Sequence, residues 1–417
     1  MNLYRLELKR VCKTRMTAIL LAIALVLAVV MAYLPVTFIG WTELDASGNE
    51  VRYTGLKAIR KRQEQQVSGT ITPDVMQEAL EAYQRVYRQH DASSINDIPV
   101  EVFYKELARY QPLVNNAKEA FADSKTGMAP GVMGLTAEDM QNFYSQLPKR
   151  LESVIWLEQS GKPGYEQAQA IAQKKFDAVQ KPFTYSFGVS SDAMDYQTLL
   201  SLLLTLLCAV IAAPVFASDA QTGAQDIQLC TKNGGLRLAA AKLAAAFSIT
   251  GAAYLLCGVV WILVTNALFG WESTQTSVQW LFSVTSLLPY TVGQMEWIML
   301  VTNFLIFFAE VAFVLMASVW AKNNLTALSV ALISVVAPLI VYMVVPGSFG
   351  EWLSTLLPAG GIGLSNALLY KMISFDFLYA GRHAFFQADV LLASAPVKIV
   401  LLVGLAAWGY LRKTKVA

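Results

Sequence analysis

The stretch Thr17 to Gly40, TAILLAIALVLAVVMAYLPVTFIG, is apolar almost throughout and decides the class of the chain. A helix needs about 20 mostly apolar residues to cross about 30 Å of hydrocarbon, and this stretch supplies them. Five further runs follow: Leu199 to Ala217, Ala239 to Phe269, Trp297 to Trp320, Leu325 to Val345, and Val397 to Leu411, the last short but led in by Leu391 and Leu392. Composition agrees, with 55% apolar and 15% charged residues against about 25% charged in soluble proteins. The charge is also uneven. Trp41 to Asp195 holds 17 Lys/Arg and 21 Asp/Glu, 38 charges in 155 residues, and the other 262 residues carry 24. A charged insert thus sits inside an apolar remainder, which excludes disordered and fibrous classes. A net charge of +2 gives no reason to expect a nucleic-acid partner.

Six spans put both termini on one side, and the basic residues choose it. Arg5, Lys9, Arg10, Lys13, Arg15, Lys232, Arg237, Lys242, Lys322, Arg412, Lys413 and Lys415 share one side with only Glu7, Asp219 and Asp226, while Gly270 to Glu296 on the other side has no Lys or Arg. The expected layout is an all-α protein of the cell membrane with six transmembrane helices and a helical extracytoplasmic domain. Residues 1–16 are a cytoplasmic segment, 17–40 an uncleaved first span and 41–195 the outer domain. Spans two to five with a cytoplasmic segment at 217–238 occupy 196–345. An outer loop fills 346–396, and the sixth span with its tail fills 397–417. Trp41, Trp271, Trp297, Trp320 and Trp408 fall at span ends, where amphipathic rings favour the headgroup level.

Within the insert, Thr72-Pro73-Asp74 starts a helix running to about His90, with Thr as cap and Pro in the first turn. Ile98-Pro99 opens a second, with Phe103, Leu107, Tyr110 and Val114 on one stripe. Thr136 and Asp139 resemble a capping box, followed at helical spacing by Met140, Phe143, Tyr144, Leu147, Leu151, Val154 and Ile155. Pro112 and Pro148 should kink or split these helices. A last helix runs from about Pro163 to Gln180. Strand-like alternation is nearly absent, and the stripes are expected to form an internal core.

Catalytic and metal signatures are missing. The sequence has no HExxH, GxSxG or P-loop motif, and His90 and His383 lack ligand spacing. Gly360-Gly361-Ile362-Gly363 lacks the strand before it and the Lys after it that a phosphate cradle requires. No cofactor is expected in this chain.

The informative stretch is Phe216 to Lys242, FASDAQTGAQDIQLCTKNGGLRLAAAK. It reads as a short amphipathic helix at the cytoplasmic face, stopped by Gly234-Gly235 and followed by basic anchors, with its charges at a rim that meets another protein. In order it carries Phe216, Asp219, Gly223, Asp226, Arg237 and Lys242. This resembles the coupling region of ABC transporter permeases of the ABC-2 type. The departures are Asp219 where Glu is usual and Ala224 where Thr is usual. The resemblance implies a permease subunit that dimerises with itself or a sister permease, sits among membrane lipid, and binds a separate cytoplasmic ATP-binding cassette ATPase holding the ATP and Mg. It also implies re-entrant or interfacial helices between Pro346 and Pro396. The expected substrate is an amphipathic drug, peptide or lipid-like molecule. The alternative is ATPase-coupled mechanical signalling through the outer domain without transport. Glu310, deep in the fourth span, and Asn303 two turns earlier are candidates to line a substrate cavity, because a charge at that depth is costly unless it has a polar partner. A structural Glu packed between helices is the competing possibility.

Overall fold

The computed structural model describes residues 3–44 and 49–414. Lys415, counted above among the basic residues, lies outside them. Six helices are long and apolar enough to cross a membrane: Arg15–Phe38, Ser191–Thr222, Leu236–Phe269, Val292–Trp320, Asn324–Val344 and Gln387–Lys413, here spans 1 to 6. By length and composition the chain is a multi-pass membrane protein.

All six expected runs are helical, but several ends differ. Span 2 begins at Ser191 rather than Leu199, span 4 at Val292 rather than Trp297, and span 6 at Gln387 rather than Val397. Hydropathy ends where polar residues begin, whereas a helix ends where its first N–H groups find acceptors. Ser190 caps span 2 through the Ala193 N–H, and Thr291 forms a reciprocal capping box with Gln294 at the start of span 4. Pro35, Pro338 and Pro396 lie inside spans 1, 5 and 6 without ending them.

Span 4 is central and packs against spans 2, 3, 5 and 6. Small residues permit the close approaches, as is usual where helices meet in a membrane. A Cβ on Gly258 of span 3 would lie 2.3 Å from Leu300 Cδ1, and one on Gly251 2.8 Å from Phe308 Cζ. Spans 1, 5 and 6 turn large apolar side chains outward, among them Val26, Ile333, Met343 and Val400. Because the chain alternates direction, Arg10, Lys242, Lys322 and Arg412 gather at one end of the bundle, the basic end. The insert joins the opposite end.

The insert's first helix, Pro73–Gln89, is capped by Thr72 and stops at His90. The second is not one helix. It breaks into Val100–Val102, a wide turn at Phe103–Leu107, a tight turn at Ala108–Tyr110 and a regular helix at Gln111–Ala120. Pro112 sits in the first turn of that last piece, where its missing N–H costs nothing. Pro148, in contrast, lies within Phe143–Gln159, which continues through it. The Thr136–Asp139 capping box forms and starts Ala137–Gln141. The last helix is Tyr165–Asp177. Leu107, Val114, Met140, Phe143, Leu147, Leu151, Ile155 and Phe176 are buried, so the stripes do form a core.

Strands were the sequence's blind spot. A hairpin pairs Gly40–Leu44 with Glu50–Thr54, bringing Trp41 opposite Tyr53. A two-residue pair joins Gly69–Thr70 to Thr184–Tyr185. The segment before span 6 holds the helices Gly347–Leu356 and Leu368–Ile373, and also a hairpin of Phe377–Ala380 with His383–Phe386 that was not expected.

The insert docks on that segment. Gln159 donates to the Phe375 carbonyl at 2.7 Å and accepts from the Tyr379 hydroxyl at 2.8 Å. Lys175 pairs with Asp389 at 3.0 Å. It also rests on the loop between spans 3 and 4, where Thr184 and Ser277 exchange backbone and hydroxyl hydrogen bonds and Ser283 donates to Glu119 at 2.5 Å.

Candidate coupling site

Span 2 reaches Pro214 and continues as Pro214–Thr222, ending on Gly223 at φ 70°, a left-handed stop that suits glycine. A short helix, Ala224–Leu229, follows, and then a turn. Gly234 is required there, since a Cβ would fall 1.7 Å from the Gln228 carbonyl oxygen. Span 3 then begins at Leu236. The excursion brings Asp219 and Lys242 face to face across antiparallel helices.

Lys242 is 1% exposed, yet its ammonium is fully engaged. It bonds the Asp219 carboxylate, donates to Gln228 Oε1 at 3.1 Å, and lies 5.4 Å from the centre of the Phe216 ring. Arg10, on the N-terminal helix Leu3–Cys12, approaches Asp219 from the other side. Its Nη1 donates to Oδ1 at 2.9 Å and Oδ2 at 3.1 Å, its Nη2 to the Val215 carbonyl at 3.0 Å, and its Nε pairs with Glu7 at 2.8 Å. Two acids and two bases therefore close a formally neutral network, as buried charges require. Ser318 of span 4 fastens the same place: its hydroxyl accepts from the Phe216 and Ala217 N–H groups at 3.0 and 3.1 Å and donates to the Ala213 carbonyl at 2.6 Å. Tyr410 of span 6 packs its ring 5.6 Å from that of Phe216.

Of the residues singled out from the sequence, the fold brings Phe216, Asp219 and Lys242 together. Asp219 is not the rim charge expected of it; it is buried at the centre of the network. Asp226, Gly223 and Arg237 are exposed, on the short helix or its flanks. Arg237 reaches Asn233 at 3.4 Å. Beside Asp226, Ile227 is 74% exposed and Leu236 55%, so a small surface of mixed apolar and charged character caps the buried network. Sequence reasoning counted Arg10 and Glu7 only among the charges of the basic side and missed Ser318 and Tyr410. No local signal could have paired Arg10 with Asp219, 209 residues away.

Glu310 is wholly buried and accepts a hydrogen bond from Ser334 of span 5. Asn303 is also buried, 3.5 Å from the Ser201 hydroxyl of span 2. Both are packed between helices. A cavity of about 610 Å³ lies elsewhere, between the insert and spans 4 and 6, lined in part by Lys174, Lys175, Tyr290, Ile298, Thr302 and Leu392.

No family model matches the chain, and neither does any curated protein or solved structure.

Proposed function

We propose that this chain is the membrane-spanning permease subunit of an ATP-driven ABC-2 type exporter in the cell membrane. ATP is hydrolysed by a separate cytoplasmic subunit, and the permease works as a dimer. One observation carries the reading: the exposed helix Ala224–Leu229 is tied through Gln228 to Lys242 of span 3, which bonds Asp219 of span 2, which in turn holds Arg10 of the N-terminal helix. A push on that surface would pass through the Gln228–Lys242 hydrogen bond into the network, and through Ser318 and Tyr410 to spans 4 and 6. The basic end then faces the cytoplasm, in line with the positive-inside rule, and the insert faces outward. The cavity beside Lys174 and Ile298 has the mixed lining that an amphipathic drug, peptide or lipid-like substrate needs.

The test is reconstitution with the candidate ATPase, reading co-purification and ATP hydrolysis coupled to vesicle uptake. Co-purification without uptake of any amphipath would favour the second reading, mechanical signalling through the insert. That reading draws on the direct fastening of Gln159 to Phe375 and Tyr379 just ahead of span 6.

A further inference from the structure

At the insert end of the bundle another buried acid sits among neutral amides. Glu296 lies in the second turn of span 4 and is wholly buried. One carboxylate oxygen accepts from Asn266 Nδ2 of span 3 at 2.7 Å, and the other has no partner among the described residues. Among the described residues no Lys, Arg or His pairs with it, in contrast to Asp219. The amides beside it are oriented. Asn266 spends its N–H groups on Glu296 and on the Ile262 carbonyl at 3.0 Å. Gln197 of span 2 donates its own to the Glu296 carbonyl at 2.9 Å. Asn266 Oδ1 and Gln197 Oε1 are left, like Glu296 Oε1, as buried acceptors with no donor among the described residues.

We propose that Glu296, Asn266 and Gln197 form a binding site for a monovalent alkali cation. Buried polar atoms in native proteins almost always have partners, so three orphaned acceptors from three different helices need an explanation. A proton on Glu296 supplies one donor and serves one of them. A cation serves several oxygens at once, and hard cations prefer carboxylate and amide oxygens. One carboxylate among neutral oxygens balances a single positive charge and leaves a divalent ion undercompensated. The site stands independently of the exporter reading. It would fasten the ends of spans 2, 3 and 4 beneath the insert, whose Gln63 donates to the Phe269 carbonyl at 2.6 Å, one turn beyond Asn266.

The experiment uses the full-length protein purified in detergent. Thermal unfolding is followed in NaCl, KCl and LiCl against choline chloride at matched ionic strength. One alkali cation should raise the melting temperature saturably by about 1–2 °C at roughly ten times its dissociation constant. Glu296→Gln should remove that dependence. Asn266→Asp, which adds a second carboxylate, should move half-saturation to lower concentration and keeps the test informative if the Gln variant does not fold. Melting indifferent to the cation's identity overturns the proposal. So does stabilisation by acid alone, which assigns the Glu296 carboxyl a proton, and so does a cation dependence that survives in Glu296→Gln.

Discussion

The two ends of the helix bundle are closed by different chemistry. At the basic end, Glu7, Arg10, Asp219 and Lys242 form a paired network drawn from the N-terminal helix and spans 2 and 3. At the insert end the contacts are mostly hydrogen bonds made by neutral amides and hydroxyls: Gln159 to Phe375 and Tyr379, Gln197 and Asn266 to Glu296, Thr184 to Ser277. The difference follows from reach. Arg and Lys have long stems that bury while their heads seek a partner, and the basic residues lie at the first end. Neutral amides and hydroxyls pay less for burial and tolerate a slightly displaced partner. One end thus has a stiff charged joint, and the other a seam of weaker contacts between the insert and the bundle.

The sharpest way to break this comparison is to unpair the charged joint. Asp219→Ala leaves the Lys242 ammonium buried without a counterion and should cost about 3–5 kcal/mol. Thermal unfolding of the detergent-purified protein reads it. Adding Lys242→Met should restore a large part of the loss, because an apolar side chain needs no partner. If the double variant is no better than Asp219→Ala, the ion pair is not what holds the joint. At the seam, Gln159→Leu removes one donor and one acceptor and should cost about 1–3 kcal/mol, with limited proteolysis of the insert rising alongside.

How much of this was legible beforehand depends on the range of each signal. The six spans were, because hydropathy is a property of contiguous residues. Helix starts such as Thr72 and Thr136 were, because a cap acts within three residues. The hairpin Gly40–Leu44 with Glu50–Thr54 was not: it is short, and it follows directly on a span that ends in apolar residues. Phe216, Asp219 and Lys242 were legible as candidates, since they flank one loop. The burial of Asp219 was not, because it depends on Arg10 arriving from the far N-terminus. Glu296 was read only as the end of a loop and Asn266 was not singled out, since their amide and carboxylate meet only when spans 3 and 4 pack.

Between the two ends, Glu310→Gln tests whether mid-bundle charge matters. The amide can keep the Ser334 hydrogen bond, so stability should change by less than about 1 kcal/mol. In the exporter reading, transport of cationic substrates should then persist. Lost transport at unchanged melting temperature would make Glu310 a substrate group instead.

At the seam, Glu119 gives a pH signature. Burial raises its carboxyl above the ordinary 4.5, outweighing the Ser283 hydrogen bond, a backbone hydrogen bond from Val284 and the charge of Arg150. A raised folded-state value means that the protonated form is favoured on folding. The stability it contributes is full below 4.5 and is lost as pH rises through the raised value. Glu119→Gln should flatten the slope of melting temperature against pH in that window; an identical slope in both proteins would remove Glu119 as its source.

The smallest effect on stability is expected at the exposed rim of the charged joint, and it separates the joint's structural part from its proposed docking part. Asp226 is exposed on the short helix Ala224–Leu229, and no ion pair holds it among the described residues. Reversing it to Lys should change stability by no more than about 0.5 kcal/mol, as for surface substitutions away from special features. A rim charge acts on encounter and docking geometry, so the same reversal should sharply reduce co-purification with the proposed ATPase subunit and its coupled hydrolysis. Asp219→Ala with Lys242→Met, in contrast, should unfold at a lower temperature yet leave the rim chemistry intact. If Asp226→Lys retains full co-purification while the repaired double variant loses it, partner recognition runs through the buried network. The exposed helix would then be only its cover.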